Sequence, residues 1–309
     1  AYRRHLKAHG AGLVTTEMVS AYGLLHHNVR TAEYLEFAEE ERPLAVQLFG
    51  DTPEAMAGAA ALVLSRASVP DVIDINMGCP VRKVVRTGAG SALLADPDRA
   101  VALTAAVVKE ATQAGVPVTV KLRSGIRAAD VAADCGRTVI ELARRLEAAG
   151  AAAVGMHPRT AEQFYHGKAD HAVTAALVAA LSVPVIASGD IHSFSSAAAV
   201  VERTGVTAVM LARGAAGDPW SVDALLGGGD QVRPPLDEVV ADLRRLLARA
   251  AEERGPVRAA RWARKLLGWY LRPSGVSAAV VESLRSLSDV AALDTALRAL
   301  VDNLQETNL

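Results

Sequence analysis

The sequence predicts an α/β protein: a (β/α)8 TIM barrel whose first strand is missing from the chain, followed by a small all-helical domain. Three observations carry this. Seven short apolar, β-branched runs alternate with helical patterns over the first two thirds of the 309 residues. Almost every run ends in polar or glycine-containing residues. Beyond Gly227-Gly228-Gly229 and Pro234-Pro235 the strand pattern stops and the remainder reads as helix.

The strand candidates are residues 12–19, 44–49, 72–76, 117–122, 151–156, 184–188 and 208–211. Each is apolar at its centre, as a parallel strand covered on both faces requires. Helical patterns such as 53–65, 97–114 and 138–149 lie between them. Asp51-Thr52-Pro53-Glu54 reads as a helix start with a capping side chain and proline in the first turn. Gly115 and Gly150 sit where helices should stop. Strand-helix alternation seven times over implies a parallel sheet with right-handed crossovers. Closure needs eight strands. Residues 2–9 read as a helix without its preceding strand, which would place strand one upstream of Ala1 and leave two strand edges unpaired.

The strand ends carry chemistry. They read Thr16-Glu17-Met18, Gln47-Leu48-Phe49-Gly50, Asn76-Met77-Gly78-Cys79, Lys121-Leu122-Arg123, His157-Pro158-Arg159-Thr160, Ser188-Gly189-Asp190 and Ala212-Arg213-Gly214. Polar groups at successive strand ends mark the active rim of a barrel, whereas a doubly wound sheet would load only its switch point. The domain boundary falls at 233/234, giving a barrel over 1–233 and a helical domain over 234–309.

Composition excludes some classes. Net charge is −1, so no global polyelectrolyte character directs the chain to nucleic acid. Two cysteines, Cys79 and Cys135, make no disulfide framework, and the chain reads as cytoplasmic, with no membrane segment. Its eight histidines are scattered without zinc-ligand spacing, so no metal site is expected. Gly88-Ala89-Gly90 lacks the third glycine of a dinucleotide fingerprint.

Cys79 is bracketed by Gly78 and Pro80 in a loop, with Arg82, Lys83 and Arg86 nearby in sequence. It reads either as a small buried hydrophobe or as a thiol activated by nearby cations. Lys121 ends an apolar strand, where desolvation calls for a compensating anion or dipole. His157 is either a rim histidine bonded to backbone or a functional group on an extended loop. The carboxylate of Glu17 suits a buried capping or loop-fixing role. The last two strand ends, at Gly189 and Gly214, suit a phosphate site built from backbone N–H groups, with Arg213 adding charge.

Between Arg244 and Arg272 there are nine basic and two acidic residues. Arg258, Arg261 and Lys265 share one helical face, a pattern that fits solubility or a phosphate-backbone contact. Trp262, Leu266 and Trp269 share another face and should pack inward, with Tyr270 also in the core.

Together these segments resemble the tRNA-dihydrouridine synthases, most closely the bacterial B-type branch. The resemblance spans nearly the whole chain: TEMVSA, QLFG, DINMGCP with downstream GAGSALL, VTVKLRSG, HPRTAEQFYHG, IASGDI, ARGAAGDPW and RKLLGWYLRP. It implies an FMN-containing barrel that reduces the C5=C6 bond of a tRNA uridine with NADPH as transient reductant. Cys79 would be the catalytic proton donor. Gln47, Lys121, His157, Ser188, Gly189, Asp190, Ala212 and Arg213 would hold the cofactor. Asn76, Arg159, Thr160 and Gln163 would lie at the flipped-out uridine, and Arg258, Arg261 and Lys265 on the tRNA. A monomer is expected. Ser188 stands where the family usually has Asn, and Leu266 where His is common. Two other classes compete: a small-molecule flavin oxidoreductase of the barrel class, and a tRNA-binding protein without catalysis.

Overall fold

The computed structural model describes residues 1–230 and 232–307, with side chains through residue 302, and divides into two compact units. One comprises Gly12–Ile191 and Ser195–Ala212; the other comprises Ala1–Ala11, His192–Phe194 and Arg213–Leu309.

The first unit is built on an all-parallel sheet. Its strands are β1 (Val14–Thr15), β2 (Val19–Ser20), β3 (Leu44–Phe49), β4 (Val72–Met77), β5 (Val118–Arg123), β6 (Ala153–His157), β7 (Val185–Ser188) and β8 (Ala208–Met210). β1 and β2 both pair with β3, so the run expected at 12–19 is one interrupted strand and the sheet has seven positions. From β3 to β8 each strand pairs with the next in sequence, the order of a singly wound barrel wall. Among the described residues β8 pairs only with β7, and its residues are exposed or half-buried. The two expected open edges are therefore present. Ile73, Ile75, Met77, Val120, Leu122, Val154 and Met156 are fully buried on alternate positions of one face, and Asp74 and Asn76, on the other face of β4, are buried too, so this strand is covered on both faces.

The crossover helices start and stop on local chemistry. Thr52 accepts a hydrogen bond from Ala55 N to cap Pro53–Leu64, and Asp96 accepts from Arg99 N to cap Pro97–Gln113. Gly150, at φ +100°, lets the chain leave the helix Arg137–Ala148 and enter β6.

The second unit is helical, built on Leu236–Arg254, Pro256–Leu271, Ala278–Ser286 and Val290–Thr307, with the short Tyr2–Ala8 beside the first of these. Its core comprises Val239, Leu243, Leu246, Leu267, Tyr270 and Leu297 among others. Leu266, standing at the family's histidine, is buried there. Trp269 departs from expectation: its side chain is 52% exposed. The buried positions of its helix are Ala259, Ala260, Ala263, Leu266, Leu267, Tyr270 and Leu271. Trp269 lies two residues beyond Leu267, about 200° around the helix, and so faces away from them. Trp262 is half-buried, with the Arg254 guanidinium 5.3 Å from its ring centre.

Ile75→Ala should lower the unfolding free energy by about 2–5 kcal/mol in urea. Trp269→Ala should change it by only about 0.5 kcal/mol. A loss at Trp269 as large as at Ile75 would return that ring to the core.

Candidate active site

The C-terminal end of β4 carries a chain of polar side chains inside an otherwise apolar wall. Asp74 Oδ1 accepts from Thr119 Oγ1 at 2.5 Å, and its Oδ2 accepts from Gln47 Nε2 at 2.6 Å. Gln47 Oε1 accepts in turn from Asn76 Nδ2 at 2.8 Å. Asn76 Oδ1 then accepts from the backbone N–H of Cys79 at 2.9 Å and of Gly78 at 3.2 Å. Strand register explains the meeting. Gln47 pairs with Asp74, and Asp74 with Thr119, across adjacent parallel strands. Asp74, Gln47 and Asn76 are all buried, so each bond replaces one lost to water.

Two further contacts fix the cysteine loop. The Cys79 carbonyl accepts from Ser91 N at 3.0 Å, which joins the loop to the GAGSALL segment. Gly90 closes this contact at φ +61°, where a Cβ would lie 2.7 Å from the Cys79 oxygen. On the other side Arg123 Nε donates to Gly78 O at 2.7 Å, while its Nη1 donates to Thr160 O and Phe164 O at 2.9 and 2.7 Å. Arg123 is buried and ties the cysteine loop to the loop after β6. Cys79 itself is half-buried. The cations expected beside it, Arg82, Lys83 and Arg86, are exposed, and among the described residues none makes a hydrogen bond to it.

Lys121 pairs with Asn76 across β4 and β5. Burial pushes its ammonium below the ordinary lysine value; the nearby Asp74 carboxylate opposes this and the Arg123 charge adds to it. Burial likewise raises the Asp74 carboxyl, opposed by the bonds from Thr119 and Gln47 and by Lys121. Opposite Lys121 on β6 is Gly155, whose missing side chain leaves room for the lysine stem: a Cβ there would approach Lys121 Cγ to 3.3 Å. Among the described residues the Lys121 ammonium makes no hydrogen bond.

His157 ends β6, and its Nε2 lies 3.3 Å from Arg159 Nη1. Arg159 is buried. Its Nη2 donates to both Asp190 oxygens at 2.6 and 2.8 Å and to Gly167 O, and its Nε to His166 O. Its guanidinium thus faces the protein and shapes the loop. Thr160 and Gln163 bond each other, with Gln163 Oε1 accepting from Thr160 N at 2.8 Å. Beyond β7, Gly189 has φ +104°, and a Cβ there would lie 2.9 Å from the His157 ring. Ser188 Oγ donates to Met156 O at 3.2 Å. Ala212 follows β8 in the barrel unit; Arg213, Arg258, Arg261 and Lys265 belong to the helical unit, and all five are exposed. Glu17, for which a buried capping or loop-fixing role was one option, is exposed: it lies in the unpaired stretch between β1 and β2, where the chain carries one residue more than β3.

The sequence model of the family described as "Dihydrouridine synthase (Dus)" matches residues 1–307. The chain belongs to the dihydrouridine synthase family. It is 39% identical over 262 residues to a probable tRNA-dihydrouridine synthase of Rhizobium leguminosarum bv. phaseoli, covering 85% of this chain and 78% of that one. It is 37% identical over 286 residues to tRNA-dihydrouridine synthase B of Xanthomonas campestris pv. campestris, covering 90% and 81%. Histamine dehydrogenase from Rhizobium sp. 4-9 superposes with a TM-score of 0.51 at 13% identity, over 79% of this chain and 46% of that one, a likeness of fold alone.

Two features of this synthase's site escape sequence reading. Arg123 was visible only as one more charged strand end. Phe164 and Tyr165 are exposed aromatics in a polar loop, with Tyr165 6.4 Å from His157 between ring centres and 5.6 Å from the Arg123 guanidinium. Their signal was two adjacent aromatics in a chain with only 4% aromatic residues.

In a Cys135→Ser background, Gly90→Ala should cost about 1–3 kcal/mol and change the rate of Cys79 alkylation severalfold. Gly12→Ala, where a Cβ meets nothing within 4 Å, is the control. Unchanged alkylation at Gly90→Ala would show that the loop is not held there.

Proposed function

We propose that this chain reduces the C5=C6 bond of a tRNA uridine to 5,6-dihydrouridine, with FMN as cofactor and NADPH as transient reductant. The observation that carries the reading is a cysteine loop clamped on both sides next to a half-buried lysine with three unused donors.

The residues fit a flavin. The Lys121 ammonium suits an anionic ring edge, and Gln47 keeps one amide N–H beyond its bond to Asp74. Gly189 leaves backbone exposed where a side chain would strike His157. Ser188, Gly189, Asp190, Ala212 and Arg213 would take the phosphate and ribityl chain. FMN held by these residues would supply the hydride chemistry, with NADPH as the source of the electrons, that reduction at C6 of the uracil ring requires. Cys79 Sγ then gives its proton to C5, which completes the two-electron reduction, and the thiolate is reprotonated from solvent. A thiol suits this because its ordinary pKa lies near working pH. Asn76 holds Cys79 in place. Thr160, Gln163 and Tyr165 line the loop offered to the extruded base, with Arg159 bracing it. Arg258, Arg261 and Lys265 contact tRNA phosphates. Residues 1–233 act as the flavin-binding domain and 234–309 as the tRNA-binding domain. The chain acts as a cytoplasmic monomer; no described helix is long and apolar enough to cross a membrane. The exposed basic face favours tRNA over a small-molecule substrate.

Cys79→Ala should leave NADPH-driven flavin reduction intact and slow dihydrouridine formation by about 10²–10⁴-fold; full uridine reduction would remove the thiol from the chemistry. Replacing Arg258, Arg261 and Lys265 together by Ala should weaken tRNA binding and lower the slope of log K against log salt by about 3. An unchanged slope would make that face a solubility device.

A further inference from the structure

Although its histidines show no zinc-ligand spacing with a third residue in sequence, the helical unit brings His5, His9 and Asp242 together with one ligand atom of each within 4.8 Å of the others. We propose that this cluster is a structural site for a divalent transition-metal ion of the zinc class, joining Tyr2–Ala8 to Leu236–Arg254.

His5 and His9 are spaced i, i+4, so both rings leave the short helix and its C-cap on one side. His5 Nε2 lies 2.8 Å from Asp242 Oδ2, and His9 Nε2 lies 3.6 Å from Asp242 Oδ1. Tetrahedral coordination at zinc–nitrogen and zinc–oxygen distances of about 2.0–2.2 Å spaces ligand atoms about 3.3 Å apart. The two observed spacings bracket that value. His9 Nδ1 is 2.6 Å from Asp223 Oδ2, the carboxylate–histidine pairing that fixes the tautomer of a ligating imidazole. A divalent cation at His9 Nε2 and Asp242 would replace the proton that the histidine otherwise shares with this carboxylate, while the Nδ1 contact to Asp223 is kept.

Asp242 and His5 are buried, while His9 is 15% exposed and gives the ion a way in. Two neighbours already bond the carboxylate. Tyr270 OH donates to Asp242 Oδ2 at 3.3 Å, and Arg245 Nη2 to Oδ1 at 3.0 Å. The Arg245 side chain is 68% exposed and free to turn outward when a cation takes its place. Nitrogen and carboxylate ligands with a remaining position for water suit zinc or cobalt better than magnesium or calcium, which prefer oxygen.

The test is Zn2+ titration of the full chain by calorimetry, in a Cys79→Ala, Cys135→Ser background that removes thiol ligands. One equivalent should bind and raise the melting temperature. His9→Gln should weaken binding at least tenfold, and Asp223→Asn by about tenfold through loss of the orienting bond. Should a variant fold poorly, Co2+ added to the unsubstituted histidine site reports directly, since a tetrahedral site gives strong visible absorption. No saturable binding, or binding undiminished in the His5→Gln, His9→Gln double variant, would overturn the proposal.

Discussion

The site depends on one side chain, Asn76, whose carbonyl oxygen accepts the backbone N–H of Cys79 while its amide donates to Gln47. An amide is suited to this position because it offers an acceptor and a donor from one planar group. Its acceptor end fixes the loop, and its donor end is fixed by the strand neighbours. Gln47 repeats the device, accepting from Asn76 and donating to Asp74, so orientation passes along three strands without a water or backbone intermediary. In a low-dielectric interior such a chain holds only when every member is paired, and here every member is.

The charge at the start of the chain sets its other property. Asp74 is a buried carboxylate and Lys121 a cation driven towards neutrality by burial; each restrains the shift of the other. The Asp74 carboxylate thus opposes the loss of the Lys121 charge, and among the described residues the lysine's donors are unused by the protein. Arg123, two residues on and pointing to the same layer, does different work. Its planar fork closes on three carbonyls of two loops, a geometry a lysine does not offer.

The barrel wall, the cysteine loop and the Lys121 position were legible in the sequence because buried parallel strands are apolar throughout and polar residues stand out at their ends. Gly90 was visible only as a glycine; its φ and its contact with Cys79 come from tertiary packing. Arg159 read as a uridine contact through the family resemblance alone; its bond to Asp190, 31 residues away, comes from tertiary packing that the sequence does not display. Trp269 read as core because it shares the helical spacing of Trp262 and Leu266, while the buried stripe of that helix is centred on Ala259, Ala263, Leu267 and Tyr270 and leaves the Trp269 ring outside. The pairing of His5 and His9 with Asp242, 237 positions beyond His5, has no local signature at all.

The most direct test of the account removes the Asn76 bond and keeps the thiol. In Asn76→Ala enzyme reduced beforehand, single-turnover uridine reduction on tRNA should fall by about 10²-fold, as misplacement of a reacting group does, while the rate of flavin reduction by NADPH holds. Equal loss in both half-reactions, or no loss in either, would contradict the claim that Asn76 sets the position of Cys79.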